Sequence, residues 1–253
     1  MIEPGDGWER TDRGIWYRRY KDNERYVRHQ ASKLQGRLQE TEAVAEWRWD
    51  NEYWHGMREH ITQVAERLPG REPVLCLGAR FGHEVAAWNQ QGRLSVGIDV
   101  MPGNSYWVME GDMQDILPRW PEGAFGAVYT NAFDHSRDLE RLAGHVKRLL
   151  GKDGLFIVDA VSTGEVGRMP GNWEACWWDN VDCLAAELGK VFRLFGREPI
   201  EFPWPGETLC MGKRGGSCGA DCDCKSQGIV HPPGTRGRAC AATGSQGAGG
   251  VES

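Results

Sequence analysis

The chain has 253 residues, 40% of them hydrophobic and 26% charged, enough for one decorated α/β domain or two small ones. A net charge of −6 argues against general nucleic-acid binding, which needs a basic surface to neutralise phosphates. No apolar run approaches the ~20 residues of a membrane span, and MIEPGDGWER at the start lacks the basic and apolar regions of a signal peptide, so a soluble cytoplasmic protein is expected.

Residues 1–70 read as a helical N-terminal cap. The stretch 23–49 lacks proline and reads as helix; a second helix, about 52–68, stops at Pro69-Gly70. This segment is rich in Trp and Tyr, and between Arg10 and Arg37 it carries nine Lys/Arg against three Asp/Glu. Such a stretch suits covering a site and meeting an anionic phosphate or carboxylate. It equally suits a solvated basic face.

Residues 71–213 alternate strand and helix. Strands are expected at 74–78, 95–99, 107–109, 125–130, 155–160, 191–195 and 208–212, with helices at 82–91, 136–150 and 174–188. GKDG at 151–154 reads as a turn after the second of these helices. Alternation of this kind implies a doubly wound, mostly parallel, seven-stranded Rossmann-like sheet. The last two strands leave no room for a helix between them, so one strand should run antiparallel.

Residues 214–253 lose apolar periodicity and become rich in Gly, Ser and Pro, which reads as a flexible tail. Cys218, Cys222, Cys224, His231 and Cys240 lie there, but C-x3-C-x-C with a distant His does not repeat the paired knuckles of a zinc site. No metal site is expected. Cys76, Cys176, Cys183 and Cys210 fit buried-strand or helical patterns and read as small, reduced core residues.

The chemistry concentrates at VLCLGARFG (74–82) and GIDV (97–100). An apolar strand enters a glycine-punctuated turn, a helix follows, and a second strand ends in Asp99. The turn brings backbone N–H groups close to a ligand, and the acid can grip ribose hydroxyls. A ribose-bearing cofactor follows from these residues alone. Further on, GDMQDILP (111–118) and FGAVYTNAFDHS (125–136) put more polar groups at the carboxyl ends of strands, with KRLLGKDGLFIVDAV (147–161) after them.

Taken in order, these motifs resemble the class I S-adenosylmethionine-dependent methyltransferases across about 140 residues, from Val74 to Lys213. YVRHQASKL (26–34) is similar to a helix that precedes the core in some small-molecule members. The resemblance implies methyl transfer from S-adenosylmethionine, with S-adenosylhomocysteine as product. It implies cofactor binding by Gly78, Ala79, Gly82, Asp99, Val100, Asp112, Met113 and Asn131. Within it, Asp99 is the ribose ligand and Asp112 receives the adenine amino group.

The chain departs from the family pattern twice, with Arg80 at the middle glycine of the turn and Cys76 where an acid is commonest. Glu84, two residues past the turn, is the carboxylate that can stand in. His135 is the candidate base for the acceptor's proton, because its ordinary pKa lies near neutral, with Asp134 as alternative base or orienting group. The structural alternative is that Asp134 caps a helix starting near Ser136. Trp173, Trp177 and Trp178 either line the acceptor pocket or pack as helix neighbours.

A small-molecule acceptor is expected, anionic if the basic segment reaches it. There is no D/N-P-P-Y/F motif after the fourth strand and no catalytic Cys-Pro for pyrimidine methylation. Nor do Gly78, Arg80 and His83, the residue after Gly82, supply the G-x-G-x-x-G of a dinucleotide oxidoreductase. The remaining alternative is a non-catalytic binding or scaffold protein that keeps the fold.

Overall fold

The computed structural model describes residues 7–35, 52–68, 70–103, 107–163 and 170–214. The expected tail with its cysteines, and the later part of the 23–49 helix, lie outside the described residues.

The N-terminal segment is not all helix. Strands β1 (Trp8–Arg10) and β2 (Ile15–Arg18) form an antiparallel hairpin before helix α1 (Asn23–Gln35) and helix α2 (Glu52–Glu66). Gly14, at φ +76°, turns the hairpin, and its amide donates to Thr11 O over 3.1 Å. Strands of three and four residues carrying arginines leave little periodic signal in a sequence.

The core follows as β3 (Val74–Leu77), α3 (His83–Gln90), β4 (Ser95–Asp99), β5 (Val108–Glu110), β6 (Phe125–Thr130), α4 (Leu139–Leu149) and β7 (Leu150–Val161). Then come β8 (Cys176–Trp178), α5 (Val181–Leu188), β9 (Phe192–Ile200) and β10 (Gly206–Lys213). The main sheet has seven strands in the order β5-β4-β3-β6-β7-β10-β9. All run parallel except β10, which is antiparallel to both β7 and β9. The expected sheet is therefore present.

Three local expectations are corrected. Residues 174–178 are not helix: Cys176–Trp178 is the third strand of the β1-β2-β8 sheet, with Trp177 opposite Trp16. The helix starts only after Asn180, whose side chain accepts from Cys183 N at 2.9 Å. The 151–154 turn lies inside β7 as a bulge, since Phe125 pairs with Leu150 but Ala127 with Leu155. Helix α4 begins later than expected, behind Asp138, whose carboxylate accepts from Arg141 N at 2.9 Å.

Burial explains the layering. All four residues of β3 are buried, as a central parallel strand covered on both faces requires. One face carries Leu75, Leu77, Val128 and Phe156 under α4, α5 and the small sheet. The other carries Val74, Cys76, Tyr129 and Ile157 under α2 and α3. Helix α4 offers Leu139, Leu142, Ala143, Val146 and Leu149 as one apolar stripe. Cys76 and Cys176 are buried thiols, and burial pushes both above the usual thiol range.

Beneath α2 lies a buried polar knot. Asp159 on β7 accepts from Tyr129 Oη and Thr208 Oγ1, each at 2.5 Å, and from His60 Nε2 at 2.7 Å. It ties together β6, β7, β10 and α2. Among the described residues, no helix is long and apolar enough to cross a membrane.

Candidate active site

The chain leaves β3 for β4 on one side and, after β5, crosses back to β6 on the other side of β3. That opens a crevice at the carboxyl ends of these strands. A cavity of about 410 Å³ occupies it.

The floor is the 78–82 turn. Gly78 sits at φ +71°, and a Cβ placed on it would lie 2.6 Å from Ala132 Cβ, so glycine is required for both conformation and space. Arg80 holds φ +31°, the left-handed region where a side chain is strained. The turn is held by Asp99: its Oδ2 accepts from Arg80 N at 3.1 Å and its Oδ1 from Met101 N at 2.8 Å. Burial pushes the Asp99 carboxyl above its ordinary value, against the pull of those N–H groups and of Arg80. Relief of this strain predicts that Arg80→Gly raises stability by about 1 kcal/mol in a urea titration; an unchanged midpoint would refute it.

Behind the turn, Glu84 is 6% exposed and accepts from Asn131 Nδ2 at 3.1 Å. Gly78, Ala79, Glu84, Asp99, Val100, Met113, Asn131, Asp134 and His135 all line the cavity. Gly82 and Asp112 are outside its lining. Asp112 caps a 3-10 turn by accepting from Gln114 N at 2.8 Å, and it lies 3.4 Å from Arg137.

At the opposite end, Asp134 and His135 belong to the 3-10 turn Phe133–His135. Because Asp138 caps α4, the capping alternative for Asp134 falls away. His135 Nδ1 lies 3.0 Å from Trp173 O. A carbonyl can only accept, so Nδ1 carries the proton and Nε2 of the neutral ring is the basic nitrogen. Nε2 is 4.0 Å from Asp134 Oδ1, so an imidazolium formed there faces a carboxylate. Such a pair can take a proton and keep it.

A roof closes this end. Tyr26 Oη donates to His135 O at 2.9 Å, and Gln30 Nε2 donates to Trp173 O at 2.8 Å. Tyr26, Gln30, Tyr53, Glu174 and Trp204 line the cavity from distant stretches of chain. Tyr26 and Gln30 lie in the YVRHQASKL stretch, whereas Tyr53, Glu174 and Trp204 carry no motif that could have flagged them. Trp173 and Trp177 line it too, so they do not pack as helix neighbours. Trp177 stacks on Trp178 with centroids 5.8 Å apart.

The basic segment turns its tyrosine, not its arginines, inward. Arg10 pairs with Asp179 at 2.5 Å, Arg19 with Glu9 at 3.2 Å, and Arg18 donates to the carbonyls of Glu174 and Gly171. Among the described lining residues, Arg80 is the sole Arg or Lys.

The sheet order and its single antiparallel strand are those of the class I S-adenosylmethionine-dependent methyltransferase fold. A solved structure of the 1,6-didemethyltoxoflavin-N1-methyltransferase of Burkholderia thailandensis, bound to 1,6-didemethyltoxoflavin and S-adenosylhomocysteine, superposes with a TM-score of 0.60 at 15% identity. That match covers 81% of this chain and 98% of the other. The PH0226 protein of Pyrococcus horikoshii matches with a TM-score of 0.53 at 13% identity, over 66% of this chain and 94% of that one. No protein-family model matches the chain, and no curated protein matches it.

Proposed function

We propose that the protein transfers a methyl group from S-adenosylmethionine to an oxygen or nitrogen of a small-molecule acceptor. The observation that carries this is the convergence of the Gly78 turn, Asp99 and the Asp134–His135 pair on one cavity at the strand ends. The Burkholderia enzyme of similar fold, which carries S-adenosylhomocysteine and a small acceptor, supports the reading.

The residues fit that cofactor. Gly78 leaves its backbone open to close approach, and Asp99 offers a carboxylate at the strand end for two ribose hydroxyls. Glu84, held by Asn131, would supply a buried carboxylate for the cofactor's amino group. Val100 and Met113, which line the cavity, would border its adenine, while Gly82 and Asp112 shape the two turns from behind. When bound, S-adenosylmethionine supplies a methyl group already activated on a sulfonium. The chain's work is to align the acceptor in line with that methyl, keep water out, and receive a proton at His135 Nε2.

Calorimetric titration tests the cofactor assignment: S-adenosylmethionine and S-adenosylhomocysteine should saturate the folded protein while NAD does not. A folded sample that binds neither would favour a non-catalytic scaffold. With an acceptor in hand, His135→Gln should lower turnover by roughly 10²–10⁴-fold and leave cofactor affinity within about twofold. Full turnover would remove His135 as the base.

A further inference from the structure

The acceptor end of the cavity differs in chemistry from the floor. Its lining includes Tyr26, Trp173, Trp177 and Trp204, with Asp134 and Glu174 as its acids; the Tyr26 ring already has the Arg137 guanidinium 5.3 Å from its centroid. No Lys or Arg of the described residues lines this end; Arg80 belongs to the turn beneath. Glu174 is fixed in place, with Oε2 accepting from Trp173 N at 3.2 Å, and its main chain is anchored where Arg18 donates to Glu174 O at 3.0 Å.

Aromatic side chains take up a planar ring, and the faces of tryptophans attract a cation. Two carboxylates add to that attraction and repel an anion. A phosphate or carboxylate acceptor is disfavoured on both counts. A neutral alcohol or phenol gains from the rings but not from the acids. One chemical class gains from both.

We infer that the acceptor is a planar aromatic molecule bearing an amine, its ring between the tryptophans and its nitrogen towards Asp134 and Glu174. This rests on the proposed methyl transfer for its reaction, though not for its binding. The amine binds as its ammonium and first gives one proton to His135 Nε2, where Asp134 faces the resulting imidazolium. The free-base nitrogen then forms the new N–CH₃ bond as the S–CH₃ bond breaks and its electron pair stays on sulfur. S-Adenosylhomocysteine and the methylated ammonium are the products.

Three probes with one ring and different side-chain charge test the class: tryptamine, tryptophol and 3-indolepropionate. Each is titrated into the whole chain, with and without S-adenosylhomocysteine, by tryptophan fluorescence and calorimetry. Tryptamine should bind at least about tenfold more tightly than 3-indolepropionate, with tryptophol between them. Glu174→Gln, which keeps an oxygen for Trp173 N, should shrink that preference to about threefold or less while S-adenosylhomocysteine affinity stays the same. Tryptophol binding as tightly as tryptamine, a preference for the acid, binding of none of the three, or an unaltered preference in Glu174→Gln would each overturn the inference. Failure of S-adenosylhomocysteine to bind would count against the methyltransferase reading instead, since the probes are also measured in its absence.

Discussion

Asp99→Ala is expected to lower affinity for S-adenosylmethionine by about 30- to 1,000-fold, equivalent to roughly 2–4 kcal/mol. Two contributions add. The first is the loss of charge-assisted hydrogen bonds to the ribose, each worth about 1.5–3 kcal/mol. The second is loosening of the turn, because Asp99 receives both Arg80 N and Met101 N. The same carboxylate predicts the acid limb of binding. Burial raises its pKa, so the ionised form that serves the ribose is lost as pH falls through a value above the 3.8 of an ordinary aspartate. Calorimetry across a pH series measures both effects. Affinity within threefold of wild type would sink the ribose assignment.

The second large effect concerns stability rather than binding. Asp159→Ala would strand three buried groups at once: Tyr129 Oη, Thr208 Oγ1 and the His60 ring. Removing one member of such a buried set costs about 3–5 kcal/mol, which for a chain of this size lowers Tm by about 10 °C. Thr208→Val should cost only about 1 kcal/mol, since it removes one donor and leaves the rest of the knot together. None of the four residues lines the cavity, so surviving Asp159→Ala protein should bind cofactor as wild type does. A Tm within 2 °C of wild type would show that water enters and replaces the aspartate.

Much of this molecule was legible in its sequence, for identifiable reasons. Central parallel strands are buried on both faces and therefore read as apolar runs, as VLCL and FGAVYT do. The cavity-lining groups sit at the ends of those runs, where the chain must turn, so Gly78, Asp99, Asn131 and His135 could be found by position. The roof was legible only in outline, as an aromatic N-terminal segment suited to covering a site. Tyr26, Tyr53, Glu174 and Trp204 reach the cavity because α1, α2, the stretch before β8 and the β9–β10 hairpin fold over the same strand ends. The hairpin β1–β2 and strand β8 were illegible for a related reason: each is stabilised by pairing with the other across some 160 residues of chain, a distance that local periodicity does not see.

The two halves of the cavity also differ in how much they are free to vary. The floor is locked: Gly78 tolerates no Cβ, Asp99 secures the turn, and the flanking strands are core. The roof, in contrast, is joined to that floor at a few polar points, of which the Trp173 carbonyl, shared by Gln30 and His135, is the most consequential. If the proposed methyl transfer holds, substitutions among the roof's aromatic and acidic side chains should change the acceptor preference more than donor affinity. A library confined to Tyr26, Tyr53, Glu174 and Trp204 is where new preferences would be sought.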